Sequence, residues 1–418
     1  MYGAGNIGRG FIGQIFFQSG YELVFIDVAE QLIEALNREG RYPVRILSDD
    51  KSGVNSRDIW IEGVRAINGR NIKEAAAAIA EADIMATAVG VRVLPLIAPV
   101  IAEGLKQRFS GFGRQNGGAS REIKPLNIIV CENLIDANKE LESLIKKYLS
   151  HEEKTLFDGN VGLVEASIGR MVPLQTVQMQ NGNPLRVCVE AYGFLPVDKA
   201  AFRGDIPQLT GLCPFDNFDF YIQRKLFVHN LGHAVCAYLG MIRGDKYIYE
   251  AAGHGGILFI TQNAMLESAA ALQAKYGASL QDLHNHIRDL LRRFSNRALA
   301  DTCARVGGDT TRKLGNKDRL VGALLFCGKE DCGRSFISAG TAAALYCHLE
   351  ENGTPQSPEA ARIVLREVSG LKGDSALTET ILSFYSLFAS FPRGGNFDDL
   401  AGKIINAASV AGQRKDII

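Results

Sequence analysis

Residues 3–13 read G-A-G-N-I-G-R-G-F-I-G, a run in which Gly3, Gly5 and Gly8 have the spacing of a dinucleotide-binding turn. In such a turn the first glycine permits a tight bend and the second lets the backbone approach a pyrophosphate. The third allows the following helix to pack closely on its strand. That helix would direct free N–H groups and a positive dipole end at the phosphates. We therefore predict that a dinucleotide is bound by the residues of this turn, namely Gly3, Ala4, Gly5, Asn6, Ile7, Gly8 and Arg9.

A β-rich run follows at residues 22–26 and ends in Asp27. A carboxylate at this distance from the glycines accepts hydrogen bonds from a ribose 2′-OH and repels a 2′-phosphate, which favours NAD over NADP. The same aspartate could instead cap a helix predicted at residues 29–38. Because the glycine pattern precedes it, we assign Asp27 to the cofactor site.

The strand that should lead into the glycine turn is nearly absent. Such a strand is usually five or six residues long, yet only Met1 and Tyr2 precede Gly3. Two explanations are a start codon assigned too far downstream and a truncated form with an impaired sheet. We favour the first.

Strands and helices alternate through the first half of the chain. Residues 71–81 and 93–106 have helical patterns, whereas residues 84–89 and 126–131 are apolar and β-rich. This alternation predicts an α/β fold with a doubly wound sheet of Rossmann type. A loop rich in Gly, Ser, Gln and Asn is predicted at residues 109–121.

Glu132 and Asn133 follow the strand predicted at 126–131. They would lie at the carboxyl edge of the sheet, where open α/β folds bind their ligands. Asn133 could equally be the N-cap of a helix predicted at residues 135–149. The residues alone leave both roles open.

The second half of the chain is predicted to be mostly α-helical. A hairpin signal, Asn181-Gly182-Asn183, joins two β-rich runs, and strand signals fade after Asp198. We therefore predict a dinucleotide-binding domain at 1–195 and a helical substrate and catalytic domain at 196–418. Helices are predicted at about 218–242, 256–276, 279–293, 295–305, 317–326, 336–351, 358–369 and 375–388.

The segment K-L-F-V-H-N-L-G-H, residues 225–233, combines one lysine, one asparagine and two histidines on one side of a predicted helix. At about 100° per residue from Lys225, the side chains of His229, His233 and Asn230 fall near 40°, 80° and 140°. A solvated polar face would have the same pattern. However, Lys225 has no carboxylate at i±3 or i±4 to hold its proton, so its environment can turn it into a base. The apolar residues occupy the opposite arc: Phe227, Val228, Leu231, Ala234, Val235, Tyr238 and Leu239.

Composition limits the classes of partner. The chain has 418 residues, with 46 basic and 46 acidic side chains, so no net field favours nucleic acid or an anionic membrane. No signal-peptide pattern or run of 18 or more apolar residues is present, and the eight cysteines lie in mostly apolar surroundings. We expect a cytoplasmic protein with reduced thiols, as a monomer or small homo-oligomer. Cys327 and Cys332 are close in sequence, but without a second pair they predict no metal site.

The motifs together resemble the polyol-specific long-chain dehydrogenases over roughly residues 1–350. The resemblance rests on the glycine-rich turn, Asp27, C-E-N at 131–133, K-L-F-V-H-N-L-G-H at 225–233, and R-K-L with D-R-L between residues 312 and 320. It implies a metal-independent, NAD-dependent enzyme with a small polyol or sugar substrate. The run I-G-R-G-F-I-G after the first glycines favours the branch of the family that acts on a polyol phosphate or sugar phosphate.

The resemblance also implies roles for individual residues. The motif lysine, Lys225, would be the general base, and Asn133 and Asn230 would donate to the developing alkoxide. His233 would hold a substrate hydroxyl, whereas His229 has no counterpart with a role. Basic residues that the resemblance aligns with substrate-binding positions are Arg170, Arg305 and Lys313; from the pattern alone, Arg305 and Lys313 could equally be C-terminal helix cations next to Gly307-Gly308.

The chain departs from the family at Gly169, where relatives carry an aspartate before the arginine. Glu165 is a candidate to compensate for the lost carboxylate. Two other functions are alternatives. The first is a non-phosphorylated polyol 2-dehydrogenase or a uronate reductase of the same family. The second is a non-catalytic NAD-binding protein, for which a broken lysine-asparagine-histidine set would be expected, whereas the set in this chain is complete.

Overall fold

The computed structural model describes residues 1–50, 53–110, 123–371, 375–392 and 394–413. It divides into two units, Met1–Tyr221 and Ile222–Ile418. The division lies further along the chain than the boundary predicted at residue 195, because a late strand pair, Leu195–Asp198 with Leu212–Phe215, packs within the first unit. The loop predicted at 109–121 lies, from residue 111 onward, outside the described residues.

The described residues of the first unit form ten strands. Two of them, at residues 41–62, form a hairpin that has no counterpart among the strands predicted from the sequence. In chain order the strands are β1 (Leu23–Asp27), β2 (Arg41–Asp50), β3 (Gly53–Glu62), β4 (Val64–Asn68), β5 (Ile84–Thr87), β6 (Leu126–Val130), β7 (Val161–Glu165), β8 (Val187–Glu190), β9 (Leu195–Asp198) and β10 (Leu212–Phe215).

The larger sheet, which follows the Rossmann pattern, contains only parallel strand pairs. β1 pairs with β4 on one side, and β5, β6 and β7 form the other side. Tyr2 joins the two halves through single parallel bridges to Ile26 and Thr87, so the order is β4-β1-Tyr2-β5-β6-β7. A second sheet, β3-β2-β8, combines the antiparallel hairpin with a parallel strand. The predicted Rossmann-type fold is confirmed, with a central strand reduced to the residues around Tyr2.

Helices cover the parallel sheet, and the sheet separates two hydrophobic clusters. Phe25 belongs to one cluster and Ile26 to the other, because successive strand residues point to opposite faces. A π-helical turn, Gly8–Gly13, precedes the first α-helix. The α-helices that begin in this unit are α1 (Gln14–Gln18), α2 (Glu30–Glu39), α3 (Ile72–Glu81), α4 (Leu94–Phe109), α5 (Ala137–Lys146), α6 (His151–Asn160), α7 (Val177–Gln180) and α8 (Phe218–Arg224).

The second unit is helical, as predicted. Its centre is the helix at 335–351, which is buried on nearly all sides, so an apolar stripe cannot be seen in its sequence. None of the helices that the structure describes is both long and apolar enough to cross a membrane. The α-helices are α9 (Leu231–Arg243), α10 (Ile248–Gly253), α11 (Gly255–Tyr276), α12 (Leu280–Phe294), α13 (Cys303–Gly307), α14 (Thr310–Lys313), α15 (Val321–Lys329), α16 (Ser335–Glu351), α17 (Pro358–Glu367), α18 (Ser375–Ala389) and α19 (Phe397–Gln413).

The hairpin predicted around Asn181-Gly182-Asn183 is wrong. Residues before the turn form the short helix α7, whose N-terminus is capped by Thr176 through the N–H of Met179. Asn181 adopts the left-handed conformation, with φ of 45°, and ends this helix. An Asn-Gly pair is compatible with both a helix end and a hairpin turn, and here it ends a helix.

Candidate active site

The glycine-rich turn has the geometry that a dinucleotide requires. Gly3 has φ of +97°, and a Cβ there would lie 2.5 Å from the carbonyl oxygen of Ala88. A Cβ at Gly8 would overlap the carbonyl oxygen of Gly3, whereas a Cβ at Gly5 would meet no atom within 4 Å. Gly3 and Gly8 are therefore needed for close backbone packing, and Gly5 faces open space. This is the distribution expected when a pyrophosphate approaches the second glycine.

Asp27 ends β1 beside this turn. Its Oδ2 accepts a hydrogen bond from the N–H of Ala4 at 2.7 Å, and its Oδ1 accepts from Val28 and Ala29 at 2.7 and 3.0 Å. The carboxylate thus fixes the glycine turn and also the two residues that lead into α2. Because an ionised carboxylate can accept about four hydrogen bonds, these contacts leave capacity for a ribose hydroxyl.

Arg9 lies behind the turn and not on its open side. The side chain is 6% exposed. Its Nε donates to the carbonyl of Ala4 at 2.6 Å, and its Nη1 donates to the carbonyl of Leu185. The Tyr42 hydroxyl in turn donates to the carbonyl of Arg9 at 2.9 Å. Arg9 was predicted to contact the cofactor, but its side chain instead supports the turn from the protein interior.

Arg170 also has a bracing position. It is 7% exposed, its Nη1 donates to the carbonyl of Gly10 at 2.7 Å and to Gln14 Oε1 at 2.8 Å, and its guanidinium lies 4.7 Å from the centre of the Phe11 ring. Arg170 therefore holds the first helical turns after the glycine motif. This differs from the substrate contact that the family resemblance implies.

The local structure explains why a glycine occupies position 169. A Cβ at this position would lie 3.1 Å from the ring of Tyr192, which is closer than ordinary van der Waals contact. The tyrosine ring therefore occupies the space toward which an aspartate side chain would begin.

Asn133 is exposed beyond the end of β6, at the carboxyl edge of the parallel sheet. The N-cap of α5 is Asp136, so Asn133 does not cap that helix. Its neighbour Glu132 is buried and accepts from the Thr87 hydroxyl at 2.7 Å and the Val89 N–H at 3.0 Å. These contacts fix the strand end and leave Asn133 beyond it, in the position expected for a ligand-facing amide.

Glu165 ends β7 at the same edge of the sheet. Its Oε1 accepts from the N–H of Asp136 at 3.0 Å. Burial, reinforced by the negative charge of Asp136, raises the pKa of Glu165 to about 7. Glu165 can therefore exchange a proton near neutral pH.

The lysine-asparagine-histidine segment forms one helical run with a wide turn inside it. α8 passes into a π-helix, Lys225–Asn230, which continues directly into α9. π-helical turns inside α-helices are rare and frequently mark functional sites. Placement at about 100° per residue therefore does not hold across residues 225–230, although the predicted apolar residues Phe227, Val228 and Leu231 are buried.

Lys225 begins the π-helix and is partly buried. Burial of its ammonium group, together with the positive charge of Arg319, lowers the pKa of Lys225 to about 8, while Asp318 opposes the shift. A lysine in this range is close to half neutral near pH 8. This is the property that a general base requires.

His233 lies on the same run, and its environment keeps it neutral. Its ring stacks on Phe294 with centroids 4.8 Å apart, and its Nε2 lies 3.7 Å from Asp301 Oδ2. Burial lowers the pKa of His233 to about 4, against the opposing effect of Asp301. Burial likewise lowers the pKa of His229 well below its usual range. A polar face with one buried and one largely buried histidine is not the solvated face that the pattern alone allowed.

Arg305 is held by a carboxylate four residues before it in the chain. Its Nε donates to Asp301 Oδ1 at 2.6 Å, and its Nη2 donates to Asp301 Oδ2. Asp301 is 7% exposed, and the same carboxylate approaches His233. Asp301 therefore links a residue of the lysine-histidine run with a predicted substrate arginine.

Lys313, at the end of α14, is 5% exposed and donates from Nζ to the carbonyls of Val306 and Gly308. It thereby caps the C-terminus of α13, which is the structural alternative that its position next to Gly307-Gly308 left open. Burial, followed by the positive charges of Arg319 and Arg312, lowers the pKa of Lys313 to about 8.

Two residues of this cluster were not predicted as site residues. Arg319 is 9% exposed, donates to Asp318 Oδ1 at 2.7 Å, and acts electrostatically on Lys225, His233 and Lys313. It lies in the D-R-L run that carried part of the resemblance. Asp301 could have been found from its i,i+4 spacing to Arg305, which is typical of helical ion pairs.

No cluster of three or more His, Cys, Asp or Glu side chains with metal-binding geometry occurs in the part of the chain that the structure describes. No disulfide joins the eight cysteines, all of which lie within the described residues, and Cys327 donates to the backbone carbonyl of Glu267.

Comparisons with known proteins found two matching family models and several similar proteins. The model of the mannitol dehydrogenase Rossmann domain matches residues 1–211, and that of the mannitol dehydrogenase C-terminal domain matches residues 217–391. The mannitol-1-phosphate 5-dehydrogenase of Brevibacillus brevis is 38% identical over 87% of this chain and 88% of its own length. That of Shouchella clausii is 37% identical over 91% and 98%.

Two solved structures are similar in fold. A D-sorbitol dehydrogenase in substrate-free form has a TM-score of 0.74 at 16% identity, covering 97% of this chain and 93% of its own. Pseudomonas fluorescens mannitol 2-dehydrogenase, solved as a ternary complex with NAD and D-mannitol, has a TM-score of 0.71 at 15% identity, covering 97% and 92%. At these identities the likeness concerns the fold alone.

Proposed function

The chain belongs to the mannitol dehydrogenase family, and from this premise we propose that it interconverts D-mannitol 1-phosphate and D-fructose 6-phosphate with NAD. NAD supplies the hydride acceptor for the alcohol carbon when it is bound. Support for NAD comes from the open space at Gly5 and from the carboxylate of Asp27 beside the turn. A negative charge at that position disfavours the 2′-phosphate of NADP.

Lys225 is the proposed general base. When the alcohol carbon loses hydride, its hydroxyl proton must leave, and a lysine with a pKa of about 8 can accept it at neutral to weakly alkaline pH. In the reverse direction the protonated lysine returns the proton to the carbonyl oxygen. Asn230, at the end of the same π-helix, and Asn133 are the proposed donors to the oxygen as it gains negative charge.

The proposal of a phosphorylated substrate is based on Arg319 and the basic residues near it. Lys225, Lys313 and His233 all lie within electrostatic reach of Arg319, and Arg305 acts on His233. Burial and, after it, the positive charge of Arg319 lower the pKa values of both lysines, and a bound phosphate would offset the part that is due to charge repulsion. This cluster favours an anionic substrate over a neutral polyol. We further propose that His233, neutral at pH 7, holds a substrate hydroxyl.

The test is NADH oxidation with fructose 6-phosphate and with free fructose. A strong preference for the phosphorylated ketose is expected, since charge-assisted contacts contribute about 1.5–3 kcal/mol each. Comparable efficiency with free fructose would favour a non-phosphorylated polyol 2-dehydrogenase. Activity with a uronate would point to a reductase of the same family, and no turnover with tight NADH binding would indicate a non-catalytic protein.

We infer that the enzyme works in the cytoplasm as a monomer or small homo-oligomer, without a nucleic-acid partner. The lack of disulfides among its described cysteines supports a reducing compartment, and its formal net charge of zero supports the absence of nucleic acid as a partner. Fractionation of cells and light scattering of the purified protein are the direct measurements.

A further inference from the structure

Two of the eight cysteines lie together at the end of α15. The N–H of Cys332 donates to the carbonyl of Cys327 at 2.9 Å, and Asp331 has φ of 51°. Such a hydrogen bond, from the second residue beyond the C-cap back to the third-last residue of the helix, with a left-handed residue before the donor, is a Schellman motif. The side chains at the two ends of this motif commonly pack against each other, and here both are thiols.

The geometry of this motif suits a disulfide. A direct hydrogen bond between two backbones brings their Cα atoms into the range that a disulfide spans, about 4.4–6.8 Å. The thiols also interact electrostatically, since burial and then Glu267 raise the pKa of Cys327 to about 12 and Cys332 adds to this rise. In the reduced protein Cys327 donates to the carbonyl of Glu267 at 3.7 Å, and Cys332 donates to that of Glu330 at 3.4 Å. A disulfide would replace these two weak hydrogen bonds.

The two thiols differ in their access to solvent. Cys327 is 0% exposed, whereas Cys332 is partly exposed and lies between two exposed residues, Asp331 and Gly333. A small oxidant can therefore reach Cys332 first, because exposed thiols are the ones that react. Cys327 is shielded from the oxidant but lies next to the sulfur that the oxidant modifies.

A cation lies against the same helix end. Nη1 of Arg334 donates to the carbonyl of Leu324 at 3.5 Å, and a Cβ at Gly328 would lie 2.5 Å from this nitrogen. The glycine thus allows the guanidinium to lie on the last turn of α15. The positive charge of Arg334 opposes the effect of burial on the pKa of Cys327, and so favours the thiolate form that attacks another sulfur.

From this arrangement we propose that Cys332 and Cys327 are a redox-responsive pair, which a hydroperoxide converts to a disulfide. The Cys332 sulfur attacks the peroxide, so that an S–O bond forms, the O–O bond breaks, and an alcohol or water leaves with the thiol proton. The Cys327 sulfur then attacks the sulfenic acid on Cys332. The S–S bond forms, the S–O bond breaks and water leaves. In total the two thiols lose two electrons and the hydroperoxide gains them.

A bound metal fits the pair less well than a disulfide. Structural zinc takes four protein ligands in tetrahedral geometry. Among the residues that the structure describes, no group of three or more His, Cys, Asp or Glu side chains could hold a metal ion. The two sulfurs alone would supply only half of a zinc site.

Oxidation of the pair would also affect the catalytic turn. Phe326, next to Cys327, stacks on Phe227 of the π-helix Lys225–Asn230, with ring centroids 5.2 Å apart. A disulfide takes the Cys327 sulfur away from the Glu267 carbonyl on α11 and so changes the packing of the last turn of α15. We expect slower turnover of the oxidised form. This consequence rests on the proposed dehydrogenase function, whereas disulfide formation does not.

The experiment treats the reduced full-length protein with increasing hydrogen peroxide and locates disulfides by peptide mass spectrometry. We expect the bridge between Cys327 and Cys332 to form about tenfold or more faster than any other cysteine reacts, because the second thiol is already in place. Cys332→Ser should abolish the bridge. In Cys327→Ala, oxidation should stop at a sulfenic acid on Cys332, which dimedone traps. Cys213→Ser removes a partly exposed thiol on β10 and is the matched control, in which the bridge should form as in the parent.

Turnover with NADH and fructose 6-phosphate should fall several-fold as the bridge forms and should recover with dithiothreitol, whereas Cys332→Ser should keep its turnover in peroxide. Conversion of Cys332 to a sulfinic acid without a bridge would overturn the proposal, as would equal trapping of its sulfenic acid in the parent and in Cys327→Ala. A bridge that leaves turnover unchanged would overturn the effect on the catalytic turn. If the reduced parent shows no dehydrogenase activity, the proposed function fails, but mass spectrometry still decides whether the bridge forms.

Discussion

Lys225 is the residue on which the proposed chemistry depends most. Substitution Lys225→Ala should lower the turnover number by about 10²–10⁴-fold, the usual contribution of a general base, while NADH binding changes little. Lys275→Ala, which removes a lysine elsewhere in the same unit, is the matched control and should keep full turnover. A Lys225→Ala enzyme with most of its turnover would leave His233 as the next candidate base. Partial rescue by added primary amines would support the assignment.

The lowered pKa of Lys225 also predicts opposite pH profiles for the two directions. Above about pH 8 the lysine is mostly neutral and can accept a proton, so the rate of alcohol oxidation should rise as pH passes through this value. Ketone reduction requires the protonated form and should fall over the same range. Initial rates in both directions from pH 6 to 10 provide the check. Parallel profiles in the two directions would exclude a single residue that both accepts and returns the proton.

Asp301 is predicted to position Arg305 and His233. Asp301→Asn preserves shape but removes the charge that holds the arginine, so catalytic efficiency with fructose 6-phosphate should fall by about 10- to 100-fold. The acidic limb of the pH profile should shift as well, because Asp301 raises the pKa of His233. Asp245→Asn breaks a bidentate pair of the same type, with Arg243, and is the control. Equal losses in the two variants would mean that Asp301 acts only on stability.

Asp27 should set the preference for NAD. In Asp27→Asn one oxygen still accepts hydrogen bonds near the turn, but the charge that repels a 2′-phosphate is lost. The ratio of catalytic efficiencies with NADH and NADPH should therefore fall, with little change in melting temperature. Asp27→Ala is a poorer probe, because it also removes the acceptor for the N–H groups of Ala4, Val28 and Ala29. A parent enzyme that uses both cofactors equally would disprove the assignment.

At the scale of elements, the π-helix sets the directions of the catalytic side chains. Deletion of Leu226 would convert the Lys225–Asn230 turn toward an α-helix and rotate Lys225 by about 100° relative to Asn230 and His233. Turnover should fall by more than about 10²-fold while helical circular dichroism is retained. Leu226→Ala keeps the turn and removes only the side chain, so it should remain active. An active deletion variant would show that the wide turn is dispensable.

Most helices and strands could be predicted because their residue patterns are local in the sequence. Side-chain contacts with residues that are distant in the chain could not be predicted. Alternating helices and strands identified the Rossmann-type sheet, and the arc opposite Lys225 correctly contains buried residues such as Phe227 and Val228. A π-turn has no residue pattern of its own, so the placement of Asn230 relative to Lys225 could not be predicted. Arg9 and Arg170 match motif positions, but only tertiary structure shows that each is hydrogen-bonded to protein carbonyls.

For the whole molecule, the balance of charges indicates whether a phosphorylated substrate is attracted over a long range or only close to the site. The formal net charge is zero, so the protein as a whole exerts no strong pull on a phosphorylated substrate. Attraction must then come from the cluster around Arg319, where burial limits access of counterions. Long-range steering would disappear within about a screening length of 8–10 Å at moderate salt, whereas contacts inside the cluster would persist.

This distinction predicts the salt dependence of the reaction. Raising NaCl from about 0.05 to about 0.5 M should reduce catalytic efficiency with fructose 6-phosphate only a few-fold, because the partly buried cations are weakly screened. Free fructose should show almost no salt effect. In Arg319→Gln, efficiency with the phosphate should already be low at low salt and should change little as salt is added, since a main source of the local charge is gone. Equal salt effects on phosphorylated and free sugar would mean that the cluster around Arg319 supports the fold and does not bind the phosphate.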